Sequence, residues 1–178
     1  MKTNQEKILI AFYSRKGNNY AGGSIVNLPV GNTEVVARKI QGLTGADLFQ
    51  IDTIKTYPED YTDTTHVAQT ELRENARPEL AEHVDNLADY DVIILGYPNW
   101  WGTMPMAVFT FLESYDFSGK TIIPYCTHEG SGMGKSEGDL RKICPHANVA
   151  EGLALRGSTV NRADSELYNW IKKLGLIA

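Results

Sequence analysis

The feature of this sequence that most constrains its fold is a series of short, continuous apolar runs separated by amphipathic stretches. Residues 7–13 (KILIAFY), 91–97 (DVIILGY) and 121–126 (TIIPYC) are apolar almost throughout, the pattern of strands covered on both faces. Weaker strand signals span residues 47–53 and 148–155. Between them, apolar residues at helical spacing predict helices. One covers residues 32–43, with Val36, Ile40 and Leu43 on one face. A polar one covers 66–77, closed by Pro78, and residues 80–87 are expected to add a turn or two. Others cover 106–115, with Val108, Phe111, Leu112 and Tyr115 on a stripe, and 135–144. The last covers 162–174, with Asn161 as its expected cap and Leu167, Trp170, Ile171 and Leu174 facing inward. Five strands alternating with helices predict an α/β fold: a parallel sheet with helices on both faces and right-handed crossovers. No repeat, low-complexity tract or linker interrupts residues 1–178, so a single domain is expected.

Ligands of such sheets bind beyond the carboxyl ends of the strands, where strand order reverses. That directs attention to the loops after the first, third and fourth strands. In the first loop Ser14 closes the strand, and Gly31-Asn32-Thr33 opens the helix. Unpaired N–H groups and the helix dipole there favour an anion. The hydroxyls of Ser14 and Thr33 are suited to phosphate oxygens, and Gly31 permits close main-chain approach. The second loop reads YPNWWGTMP, residues 97–105. Adjacent tryptophans are unusual in a connection that runs over the surface. Stacking of Trp100 or Trp101 on a flat aromatic ligand accounts for them, with Gly102 letting main chain reach the ligand's edge. Pro98 and Pro105 stiffen this loop, Pro105 near the first helical position.

The third loop, THEGSGMGKS over residues 127–136, looks at first like a nucleoside-triphosphate cradle. That motif, G-x-x-x-x-G-K-[ST], requires glycine where Glu129 stands. The loop also follows the fourth strand rather than the first, and no later strand ends in a magnesium-holding acid. Small residues here instead suit the polar rim of a planar heterocycle, read by main-chain groups. A phosphate loop, an aromatic loop and a polar-rim loop together describe a mononucleotide with an aromatic ring system. Flavin mononucleotide (FMN) is the natural candidate.

A formal net charge of -5 argues against nucleic-acid binding. The first residues, MKTNQEK, show no apolar signal core, and no apolar stretch reaches membrane-spanning length. A cytoplasmic location is therefore expected. The two cysteines, Cys126 and Cys144, lack metal-motif spacing, and the four histidines are far apart, so neither a disulfide framework nor a metal site is expected.

From residue 8 to residue 174 the chain resembles the flavodoxin family. Flavodoxins carry a first-loop motif T-x-T-G-x-T; Ser14 matches its start and Gly31-Asn32-Thr33 its end, with residues 15–30 (Arg15 to Val30) inserted between. The element P-x-W-W-G-x-M-P is similar to that of a bacterial flavodoxin-like subgroup, as is Thr127-His128-Glu129-Gly130. The resemblance implies a three-layer sandwich with five parallel strands in the order 2-1-3-4-5, the arrangement that flavodoxins themselves exemplify. It implies phosphate contacts at Ser14, Asn32 and Thr33, with Gly31 beside them and Arg15 or Lys16 joining. It implies ring and ribityl contacts at Pro98, Asn99, Trp100, Trp101 and Gly102, and rim contacts at Thr127, His128 and Gly130, with Glu129 a further cofactor-binding candidate in that loop. The stacking tyrosine of many flavodoxins is missing from the third loop, leaving His128 or a tryptophan to serve.

Two functions follow from that resemblance. One is a one-electron carrier working between a flavin reductase and an acceptor protein. The other is an NAD(P)H-dependent reductase of quinones or similar small acceptors. In either, a chain of net negative charge disfavours the anionic reduced flavin, and a main-chain group near Gly102 is expected to reach flavin N5. The insertion, with its YAGGSIVNLPVG stretch, is expected to form a hairpin beside the flavin or a surface excursion.

Overall fold

The computed structural model describes residues 5–178. Its strands and helices are β1 (Ile8–Phe12), β2 (Gly17–Ala21), β3 (Ser24–Leu28), α1 (Asn32–Thr44), β4 (Asp47–Gln50), α2 (Tyr61–Arg73), β5 (Val92–Pro98), α3 (Met106–Glu113), β6 (Thr121–His128), α4 (Ser136–Ile143), β7 (Asn148–Val149), β8 (Leu153–Arg156) and α5 (Asp164–Lys173). The central sheet runs β4-β1-β5-β6-β7, with β8 also on β6, and every pairing in it is parallel. With the hairpin β2–β3 set aside, this is the expected order 2-1-3-4-5. The fifth strand comes in two pieces: β7 pairs the start of β6 and β8 its end. Where residues 150–152 leave the ladder, Ala150 N–H still reaches the Ile122 carbonyl at 2.9 Å. The Gly152 N–H turns instead to the Glu137 carboxylate at 2.6 Å. A single strand over 148–155 is thus corrected to two short ones.

Period-two alternation distributes the buried strands between two cores. Leu9 and Ala11 of β1, Ile93, Leu95 and Tyr97 of β5, and Ile122 and Cys126 of β6 face one side, against Phe111 and Leu112 of α3 and Leu140 of α4. Ile10, Phe12, Ile94, Ile123 and Tyr125 face the other, against Val36, Ala37 and Ile40 of α1 and Leu167 and Ile171 of α5. Continuous apolar runs are what a strand buried on both faces requires, so the three strongest strand signals form the centre of the sheet.

Three further expectations are revised. Helix α2 begins at Tyr61, not residue 66, because the Asp60 carboxylate caps it by accepting the Asp63 N–H at 2.8 Å. Residues 80–87 form no α-helix: Leu80 is bridged to Thr53, the chain then runs irregularly, and only a short 3-10 turn follows at Leu87–Asp89. Asn161 does not cap α5: it lies within a 3-10 turn, Gly157–Arg162, and Ala163 precedes the helix without a side-chain cap. Among the described residues no helix is long and apolar enough to cross a membrane, and no group of metal-ligating side chains converges.

Candidate functional site

A cavity of about 540 Å³ lies beyond the carboxyl ends of β1, β5 and β6. Arg15, Asn32, Thr33, Pro98, Asn99, Trp100, Trp101, Thr127, His128, Glu129 and Gly130 line it, so eleven of the fourteen residues singled out in the sequence converge there. Ser14, Gly31 and Gly102 do not. The Ser14 hydroxyl accepts the Glu34 N–H at 3.1 Å and so holds the first turn of α1. Gly31 is the residue before that helix. Gly102 donates its N–H to Asn99 Oδ1 at 2.9 Å, and its carbonyl accepts the Lys135 N–H at 2.7 Å. Its N–H and carbonyl therefore both bind protein.

The end of the cavity at α1 has the chemistry of an anion site. The helix begins at Asn32, and no side chain caps it through Gly31. Asn32 lines the cavity, and among the described residues its side-chain amide makes no hydrogen bond to protein and is open to solvent. Thr33 is buried, its hydroxyl 2.8 Å from that of Thr127. The Tyr125 hydroxyl donates to the Thr33 carbonyl at 2.9 Å, fixing this turn to the sheet.

Aromatic rings dominate the wall opposite. The Trp100 indole packs edge-on against Tyr13 and Tyr57, each with centroids 5.2 Å away, and is partly buried against the core. Trp101 is 48% exposed, with φ of 56°, the left-handed region in which a bulky residue is strained. Its indole Nε1 donates to the Thr65 carbonyl of α2 at 2.9 Å. Trp100 thus stands on the core, while Trp101 closes the seam with α2.

Loops two and three are joined by Asn99. Its side chain donates to the Gly132 carbonyl at 2.9 Å and accepts the Gly102 N–H, and its own N–H binds the Thr127 carbonyl at 2.9 Å. The Gly134-Lys135-Ser136 stretch belongs to this junction rather than to a phosphate. Gly134, at φ 55°, sits where a Cβ would overlap the Gly102 carbonyl. The buried Ser136 hydroxyl donates to the Met133 carbonyl at 2.6 Å and lies 2.9 Å from the Tyr97 hydroxyl.

In loop three the His128 Nδ1 accepts the Gly130 N–H at 2.9 Å, so the neutral ring carries its proton on Nε2. Burial, then the neighbouring Arg156 cation, pull the His128 pKa below 6.5, against the opposing pull of Glu129. The ring is neutral at pH 7. The Glu129 carboxylate is occupied by the protein: Oε1 accepts the Ser158 N–H at 2.8 Å and Oε2 the Gly22 N–H at 3.3 Å, with Arg156 Nη1 4.0 Å from Oε2.

Asn19, Tyr20, Leu28, Tyr61, Thr64, Thr65, Ala68, Ser131 and Gly157 also line the cavity, and sequence reasoning does not single them out. For those on α2 a signal is present: Asp60 three residues before Asp63 marks a helix start at Tyr61. For Asn19, Tyr20 and Leu28, which lie on the inserted hairpin, no local pattern shows which face turns inward.

The residues present fit a flavin mononucleotide. A helix start with an unpartnered amide suits its phosphate, an indole face its ring system, and the main chain of loop three its polar rim. Arg15 adds a cation on the cavity wall. Its guanidinium is held by the Asn18 and Glu59 carbonyls at 3.1 and 2.8 Å, and no carboxylate lies within ion-pair distance among the described residues. Burial lowers its pKa from the usual guanidinium range, and a guanidinium keeps its charge inside proteins.

The comparisons with known proteins agree with this architecture. A flavodoxin family model matches residues 25–174. Two solved structures described as flavoproteins superpose over nearly the whole chain. The one from Bacteroides uniformis is 28% identical and covers 95% of this chain and 99% of its own, at a TM-score of 0.75. The one from Bacteroides eggerthii is 27% identical and covers 96% and 98%, at 0.74. A flavoprotein from Lactobacillus acidophilus, crystallised in complex with FMN, shares the fold at 22% identity and a TM-score of 0.65, covering 88% and 97%. No curated protein matches. On its own sequence, over most of its length, this chain belongs to the flavodoxin family.

Proposed function

We propose that the protein binds FMN in the cavity and carries electrons through it between redox partner proteins, a flavin reductase and an electron acceptor. The observation that supports this reading best is the convergence of the α1 start, the Trp100 face and loop three on one cavity at the switch point of the sheet. Bound flavin would supply the redox chemistry; the chain binds it, orients it and sets its surroundings. Asn32, Thr33 and the first N–H groups of α1 take the phosphate, with Arg15 balancing its charge. Trp100, braced by Tyr13 and Tyr57, gives a flat apolar surface that excludes water from one ring face. Asn99 holds loops two and three together so that the rim of the ring meets main chain at residues 127–130.

A second reading, an NAD(P)H-dependent reductase of quinones or similar small acceptors, is favoured by one feature. Tyr20 and Tyr61 stack on the cavity wall with centroids 6.2 Å apart, an aromatic surface that the phosphate and ring contacts leave unused. Anaerobic mixing of FMN-loaded protein with NADH or NADPH separates the two. A carrier is bleached only when a flavin reductase is added, whereas rapid direct bleaching overturns the carrier reading in favour of the reductase. Protein that stays colourless and keeps its tryptophan fluorescence in excess FMN refutes both.

A further inference from the structure

The inserted hairpin does more than cross the surface. β2 and β3 pair in antiparallel register, Gly17 opposite Leu28 and Ala21 opposite Ser24, with Gly22-Gly23 at the tip. A lone two-stranded hairpin is marginally stable in water, and this one is fastened at both ends. At its base, Asn18 Oδ1 accepts the Tyr61 N–H at 2.6 Å and Arg15 reaches the Glu59 carbonyl, and further along β2 Tyr20 stacks on Tyr61. At its tip, the Gly22 N–H meets the Glu129 carboxylate, whose other oxygen holds Ser158. The Glu129 side chain is only 15% exposed.

These contacts make a continuous wall beside the start of α1. A Cβ on Gly157 would lie 2.5 Å from Asn32 Nδ2 and 2.8 Å from Glu129 Oε1, so no gap separates the three residues. A Cβ on Gly22 would come within 3.9 Å of the Ser158 side chain. Leu28 and Asn19 line the cavity from the hairpin side. A ligand anchored at Asn32 therefore has its anionic end enclosed, with a carboxylate set in the enclosing wall.

We propose that the β2–β3 hairpin, latched by Glu129, restricts the site to a flavin ending in a single phosphate and rejects one that continues into a dinucleotide. This rests on the FMN reading. A second phosphate and its nucleoside continuing on the hairpin side would meet the atoms of Gly22, Ser158 and Glu129, which already touch one another. Selectivity then comes from a built clash rather than from added attraction. Glu129 is a positioning residue: it acts through the hairpin tip.

The test is titration of flavin-free protein with riboflavin, FMN and flavin adenine dinucleotide, followed by tryptophan quenching. It is run on the wild type, on E129A, and on a variant with residues 16–29 replaced by a short turn. The wild type is expected to prefer FMN to the dinucleotide by about a hundredfold or more, with both variants narrowing that gap to about tenfold or less by gaining dinucleotide affinity. FMN is also expected to leave E129A faster than wild type in stopped-flow displacement by excess riboflavin. A wild type that binds the dinucleotide as tightly as FMN overturns the proposal. So does an unchanged ratio in E129A, which needs no deletion and keeps the whole chain. Binding of FMN with no discrimination refutes the hairpin's role alone, whereas absence of quenching by all three flavins refutes the FMN reading and this proposal with it.

Discussion

At the residue scale, His128 and Gly134 behave oppositely to what their motifs suggest. His128 invites an acid–base role, but its Nδ1 is committed to the Gly130 N–H and its pKa is lowered. The folded state therefore binds the proton less readily than the unfolded chain. The stabilising contact is fully present above pH 6.5 and is lost as pH falls below it towards the depressed folded value. An H128N variant keeps an acceptor near the Nδ1 position without titrating. Thermal midpoints measured across pH 5 to 8 should therefore diverge: wild type declines relative to H128N in the acid range, and parallel curves would contradict the assignment. Gly134 gives the second prediction. Alanine there must adopt φ near 55° and displace the Gly102 carbonyl, at a cost of about 1–3 kcal/mol in urea unfolding. The exposed Lys135 contributes its N–H to the same junction, so K135A should change stability by less than about 0.5 kcal/mol. That contrast distinguishes a loop junction from a phosphate clamp.

At the element scale, the loops are easier to read than the chain between them. The three apolar runs could only be central strands, and the order of the parallel sheet then determines which loops share one edge. Trp100, Trp101, Asn32 and Thr127 are legible for that reason. The start of α2 is not, because its polar face gives weak periodicity and the Asp60 cap lies in a stretch resembling a turn. The two-piece fifth strand is also hidden: the break at residues 150–152 depends on Glu137 of α4, distant in sequence, accepting the Gly152 N–H. Asn99 shows what a local reading cannot separate. Its place in the tryptophan loop marks it for ligand contact, yet its amide is a bridge between two loops. Replacing it with alanine removes both side-chain bonds and leaves the Gly102 N–H without its acceptor, which predicts a loss of about 1–3 kcal/mol. Because the loops would then move apart at the ring end, which FMN and riboflavin share, N99A should weaken both ligands by similar factors. Calorimetric titration of the two checks this, and a loss confined to FMN would place Asn99 at the phosphate instead.

At the scale of the whole molecule, the site is distributed over elements that the core holds independently. Trp100 rests on the face packed by α3 and α4, while Asn32 and Thr33 belong to α1 on the opposite face. The two cores meet through the sheet, and the Tyr125 hydroxyl reaching the Thr33 carbonyl ties β6 to the start of α1. A ligand that touches both faces should therefore stabilise the fold as a unit rather than order one loop. At an FMN concentration about a hundred times its dissociation constant, mass action adds about 2.7 kcal/mol. For a chain of 178 residues that corresponds to a rise in Tm of roughly 5–11 °C, at about 2–4 °C per kcal/mol. The Y125F variant removes the tie without removing a ligand contact, and its lost bond should lower stability by about 0.5–1.5 kcal/mol. If the tie matters to the site, Y125F should also lose FMN affinity while its Trp100 environment, read by fluorescence of the flavin-free protein, stays unchanged. Unaltered FMN affinity in a folded, destabilised Y125F would instead mean that α1 holds the phosphate end alone, and that the two faces of the sheet contribute to the site separately.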